Sequence, residues 1–157
     1  MSHKLFTSLM ALLVWASPTL GAFGQAAKAP APAGDESSAV KIDLVTVEEL
    51  KSMLAKSQPV MIIDVRSSET YADSDNQIKG SIHFRLRKLS SRVKFPPLKD
   101  LPRDSEVVTY CTCENDKASI RAAQILIGEG FKRVRALKGG WTAWVSAKGP
   151  IERRLKT

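Results

Sequence analysis

Two unbroken apolar runs, Val60-Met61-Ile62-Ile63 and Val107-Val108-Thr109-Tyr110, constrain this chain more than any other feature. A strand with one wet face alternates apolar and polar residues. These runs do not alternate, so each reads as a strand buried inside a sheet covered by helices. The intervening segments supply the helices. Thr46 and Glu49 form a capping box that opens a helix with Val47, Leu50 and Leu54 on one stripe. Ser67 or Ser68 starts a short helix through Tyr71, and Leu89 to Val93 suggests another before Pro96-Pro97. Ala122, Ala123, Leu126 and Ile127 give the segment Ser119 to Glu129 an apolar helical face, stopped by Gly130. Further short strands are expected near Ile78-Lys79-Gly80-Ser81-Ile82 and from Val134 to Leu137. Gly139-Gly140 then turns into a final helix bearing Trp141 and Trp144, ended by Gly149-Pro150. Strands alternating with helices imply an α/β fold, a mostly parallel sheet with helices on both faces. Such sheets bind ligands beyond the carboxyl ends of their strands. Asp64, Arg66 and Cys111 all fall there.

The amino-terminal part reads differently. Lys4 precedes an uncharged stretch whose apolar centre runs from Leu9 to Trp15. Pro18, Gly21 and the small-residue exit at Ala22-Phe23-Gly24 complete the pattern of a secretory signal peptide over residues 1–24. The apolar part is short for a membrane span, so no stable membrane contact is expected after cleavage. Residues 25–39, rich in Ala and Pro, read as a flexible linker, leaving a folded domain at 40–157. The expected location is periplasmic or secreted. In the 157 residues the formal net charge is +8, and loss of Lys4 makes it 8 − 1 = +7. The basic residues are interleaved with acids rather than massed with aromatics, which argues against nucleic acid and for attraction of small anions.

Cys111 and Cys113 are the only cysteines. They are too close in sequence to form a disulfide framework, and with His3 and His83 they make a poor metal site, so no metal is expected. Cys111 ends its strand just before a helix. Backbone N–H groups and the positive end of the helix dipole are expected to stabilise its thiolate, the reactive form. Cys113 reads as a resolving thiol that could close a small, easily reduced ring with Cys111, or as a bystander. Asp64 and Arg66 read as structural, with Arg66 pairing an acid. Trp141 and Trp144 read as packing residues, Arg85 and Arg87 as a solvated edge, and Ser119 as a helix cap.

Four features in this order resemble the single-domain rhodanese family: Asp64-Val65-Arg66 after its apolar run, the Ile78 to Ile82 turn, Tyr110-Cys111 with its loop, and Leu137-Lys138-Gly139-Gly140-Trp141-Thr142-Ala143-Trp144 with trailing Gly149-Pro150. The likeness spans about Leu44 to Glu152. It implies a three-layer fold around a sheet of about five strands. It also implies a cofactor-free sulfurtransferase that moves a sulfane sulfur from a donor such as thiosulfate to a thiophilic acceptor through a Cys111 persulfide. The partners implied are a small anionic sulfur donor and a thiol acceptor, with a protein acceptor open. Thr112, Cys113, Glu114, Asn115, Asp116, Lys117, Ala118 and Ser119 would form the substrate loop, its N–H groups a nest for anions. Asp64, Arg66 and Arg121 would be structural support.

The chain also departs from the family pattern. Glu114 stands where the usual loop has glycine, the loop looks two residues longer, and Gln77 replaces a frequent histidine. The Cys-x-Cys loop looks closest to a subgroup of bacterial rhodanese-like domains. A noncatalytic or redox-responsive binding module using the Cys111/Cys113 pair is a second reading. A phosphatase or arsenate reductase is a third, from loop length.

Overall fold

The computed structural model describes residues 40–154. The expected signal peptide at 1–24 and linker at 25–39 lie outside the described residues. In chain order the elements are β1 (Leu44–Val45), α1 (Val47–Ala55), β2 (Val60–Asp64), α2 (Ser68–Ala72), β3 (Asn76–Ile78), β4 (Ser81–His83), α3 (Leu89–Arg92), β5 (Glu106–Tyr110), α4 (Lys117–Gly128), β6 (Arg133–Leu137), α5 (Gly140–Ser146) and β7 (Ile151–Arg153).

The apolar runs occupy the middle of the sheet, as their composition requires. Strand order is β1-β6-β5-β2-β4, with every pairing parallel. Successive side chains leave a strand on opposite faces. Ile63 and Val107 therefore enter one core with Phe84, Leu89, Leu126 and Phe131. Ile62 and Val108 enter the other with Leu50, Leu137 and Trp144. Helices α3 and α4 cover the first face, α1 and α5 the second. The expected α/β architecture, with a central five-stranded parallel sheet, is the one observed.

Local chemistry accounts for most element ends. Thr46 and Glu49 form the reciprocal capping box at α1, the Thr46 N–H donating to Glu49 at 2.8 Å and the Glu49 N–H to Thr46 Oγ1 at 3.2 Å. Ser67 caps α2. Trp144 is fully buried, donates from its indole to the Pro150 carbonyl at 3.0 Å, and packs so tightly on Gly149 that a Cβ there would overlap the ring.

The antiparallel ribbon of β3 with β7 has no counterpart in the sequence expectation. Each strand is three residues long, too short to show a period. Gln77 adds a side-chain bond across the ribbon, donating to Glu152 at 2.9 Å, and ties β3 to β4 by donating to the Ser81 carbonyl at 2.8 Å. A second correction concerns α4, which begins at Lys117, not Ser119. Ser119 is not its cap. The Ser119 hydroxyl donates to the Asp116 carbonyl at 2.9 Å, while its own carbonyl accepts Thr109 Oγ1 at 2.8 Å. The side chain thus ties the loop to the first turn, and the backbone carbonyl ties that turn to β5.

A buried polar network joins the ends of β2 and β5. The Asp64 carboxylate receives Arg66 Nε at 2.9 Å, Arg66 Nη2 at 2.7 Å and the Tyr110 hydroxyl at 2.6 Å. Tyr110 also accepts the Ile78 N–H at 3.3 Å. Burial, reinforced by the Asp64 carboxylate, pushes the Tyr110 hydroxyl far above its ordinary range, so it remains a donor. Tyr110→Phe leaves Asp64 without one of its donors. The expected cost is about 1–3 kcal/mol, read as a lower urea midpoint at constant slope. An unchanged midpoint would remove the network from the account of stability.

Candidate active site

Cys111 directly follows β5, and two backbone contacts fix its carbonyl. Its carbonyl accepts the Trp141 N–H at 2.8 Å, at the start of α5. Gly140, with φ +50°, lies against that carbonyl so closely that a Cβ would overlap the oxygen. Asp116 extends its carboxylate to the Gly139 N–H at 2.8 Å. The loop after β5 is therefore tied to the turn after β6. This explains Gly139-Gly140 without appeal to substrate.

The loop solves its missing glycine locally. Asn115 and Asp116 take the left-handed conformation, with φ of 56° and 54°. Asn and Asp tolerate that region better than other side-chain-bearing residues. The reversal of the chain sits at 115–116, so Glu114 needs no special backbone. Asp116 is buried and turned toward Gly139, outside the lining of the cleft in front of the cysteine.

A cleft of about 760 Å³ opens in front of Cys111, between the end of β2, the residues after β4 and the first turns of α4. Of the expected loop residues, Thr112, Cys113 and Ala118 line it with Cys111. Glu114, Asn115 and Lys117 are exposed outside that lining, and Asp116 and Ser119 are buried behind it. Arg85, Arg87 and Arg121 line the cleft and are all exposed. The solvated edge expected of Arg85 and Arg87 is thus also the rim of the site. Their alternate spacing was the available signal, but only the position of β4 shows which way they face.

Two support assignments separate. Arg66 is a brace: its guanidinium pairs with Asp64, donates to the Asn76 carbonyl at 3.1 Å and stacks 4.6 Å from the Trp141 ring centroid. His83 Nε2 lies 3.1 Å from the Arg66 carbonyl oxygen, with its ring stacked on Tyr71. Arg121 is not a brace. It projects from the face of α4 opposite Ala122 and Ala123 and reaches only as far as Gln124, at 3.4 Å.

The two thiols differ sharply. Cys111 is 1 % exposed, and its thiol donates a long hydrogen bond, 3.8 Å, to Ser119 Oγ. Burial pushes the Cys111 thiol up, and the neighbouring Cys113 thiol pushes the same way. The N–H groups of Cys113 and Ser119 and the Ser119 hydroxyl pull it down, but less. The expected stabilisation of a Cys111 thiolate by the helix end is therefore outweighed by desolvation. The Ala118 N–H, at the amino end of α4, instead donates to Cys113 Sγ at 3.3 Å, and Cys113 is exposed. A second cavity of about 780 Å³ lies at the opposite end of the sheet, around Glu106 and its partners Arg133 and Arg135. It has no cysteine and faces the amino ends of the strands, away from the usual ligand position.

Known proteins resemble this chain in sequence and in fold. The sequence profile described as "Rhodanese-like domain" matches residues 46–147. A protein named "Sulfurtransferase" from Allochromatium vinosum is 26% identical over 110 residues, covering 70% of this chain and 94% of that protein. "Thiosulfate sulfurtransferase GlpE" from Pseudomonas fluorescens is 32% identical over 91 residues, covering 58% of this chain and 75% of its own length. The crystal structure of the Alr3790 protein from Anabaena sp. superposes with a TM-score of 0.59 at 28% identity, covering 71% of this chain and 82% of that one.

The raised Cys111 thiol sets a pH profile. Because only the thiolate reacts, alkylation of Cys111 by iodoacetamide in a Cys113→Ser variant is expected to keep rising with pH beyond the ordinary cysteine value of about 8.5. A plateau reached below pH 7 would contradict the dominance of burial.

Proposed function

The chain belongs to the rhodanese-like domain family, and from that premise we propose that it is a sulfurtransferase working through a persulfide on Cys111. The observation that carries the reading is Cys111 itself: a thiol at the carboxyl end of a central strand, at the base of a cleft rimmed by Arg85, Arg87 and Arg121. The arginines raise the local concentration of an anionic donor. The Cys111 thiolate attacks the outer sulfur of thiosulfate, the sulfur–sulfur bond of the donor breaks, and sulfite leaves with the bonding pair. The acceptor then attacks the outer sulfur of the persulfide and Cys111 departs as thiolate. The N–H groups of Cys113 and Ser119 hold the sulfur anion at the start and end of the cycle. Electrons balance without an external oxidant or reductant.

The amino-terminal pattern supports export as part of this proposal. Cleavage after Gly24 would release a protein beginning at Gln25. Edman sequencing of the protein recovered from an expressing bacterium is expected to begin there, and an intact Met1 start in the exported fraction would contradict it.

Cys111→Ser tests the activity. Sulfite release from thiosulfate, with cyanide as acceptor, is expected to fall at least about a thousandfold, with the urea midpoint serving as a check that the domain is folded. Full activity in the folded variant would end the proposal.

A further inference from the structure

We propose that Cys113 is a second sulfur carrier, the exit thiol that takes the sulfane sulfur from Cys111 and presents it to a thiol acceptor. The inference rests on the sulfurtransferase reading and deepens it. The two thiols line the same cleft, yet one is buried and the other exposed. The arrangement separates two tasks. A persulfide on Cys111 is walled in by the loop and by Val65, Leu86 and Ile125. A small nucleophile can enter, but a bulky thiol must bring its sulfur into line with a buried bond. Cys113 has no such restriction, and its Sγ already receives the Ala118 N–H at 3.3 Å at the amino end of a twelve-residue helix. An acceptor reaching Cys113 therefore meets a sulfur already oriented by a backbone donor.

The step is redox-neutral. The Cys113 thiolate attacks the outer sulfur of the Cys111 persulfide. One sulfur–sulfur bond forms as another breaks, the sulfane sulfur moves to Cys113, and Cys111 leaves as thiolate. The acceptor thiolate next attacks the same sulfur on Cys113. Attack on the inner sulfur would instead close a Cys111–Cys113 disulfide and expel hydrosulfide, which would need a reductant to reset. The carrier role needs none.

The full chain, reduced and desalted, is loaded with thiosulfate, trapped with iodoacetamide and mapped by peptide mass. The wild-type protein is expected to carry sulfane sulfur on Cys113 as well as on Cys111. Cys113→Ser is expected to accept sulfur on Cys111 still, which also shows it folded. Its discharge to glutathione should fall about tenfold relative to its discharge to cyanide, since only the bulkier acceptor depends on the exit thiol. Sulfur confined to Cys111 in the wild-type protein, an unchanged glutathione-to-cyanide ratio in Cys113→Ser, or a loss of two hydrogens with sulfide release would each overturn the carrier assignment. A wild-type protein that accepts no sulfur on either cysteine would overturn the sulfurtransferase reading with it.

Discussion

The Asp64 carboxylate, wholly removed from water, is the constraint on which the site depends. A buried carboxylate must be fully hydrogen-bonded to be tolerated. Its donors come from beyond β2: the Arg66 guanidinium and backbone N–H, and the Tyr110 hydroxyl at the end of β5. Satisfying Asp64 therefore aligns the carboxyl ends of two central strands and pins Arg66 beneath Trp141. The Trp141 N–H in turn holds the Cys111 carbonyl. A buried ion pair of this kind adds little net stability over an apolar replacement. Its effect here is positional, because the ends of β2 and β5 must meet for one charge to be solvated by protein.

The same economy of hydrogen bonds shapes the loop. Asp116 is committed to the Gly139 N–H and the Ser119 hydroxyl to the Asp116 carbonyl, so the loop braces itself before any substrate arrives. What remains open to the cleft is two thiols, three guanidinium groups on the rim, the Glu69 carboxylate, the hydroxyls of Ser67, Ser68, Thr70 and Thr112, and an apolar wall. The division between a buried Cys111 and an exposed Cys113 follows from this bracing. The residue held by Trp141 and Gly140 is drawn under the loop, and the residue two places on emerges from it.

Much of the fold was legible because its signals are local. Unbroken apolar runs marked β2 and β5, the Thr46/Glu49 pair marked α1, and Gly130 marked the end of α4. Cys111 stood out by its place at a strand end. The ribbon of β3 and β7 was hidden because each strand is three residues long. Ser119 looked like a cap because serine before an apolar helix usually is one. Here the loop supplies the turn, and the hydroxyl serves the Asp116 carbonyl.

Taken alone, then, the sequence determined the alternation of helices with the strands β2, β5 and β6, the parallel sheet, and that Cys111 follows a central strand, since periodicity and chain order suffice for those. Only the tertiary structure decided that burial outweighs the loop's N–H groups at Cys111, that the Ala118 N–H turns to Cys113, and that Arg121 sits on the rim instead of bracing the loop. The physical reason is that desolvation and the sharing of hydrogen-bond donors depend on which distant segments close over a group, and a linear pattern carries no record of that closure.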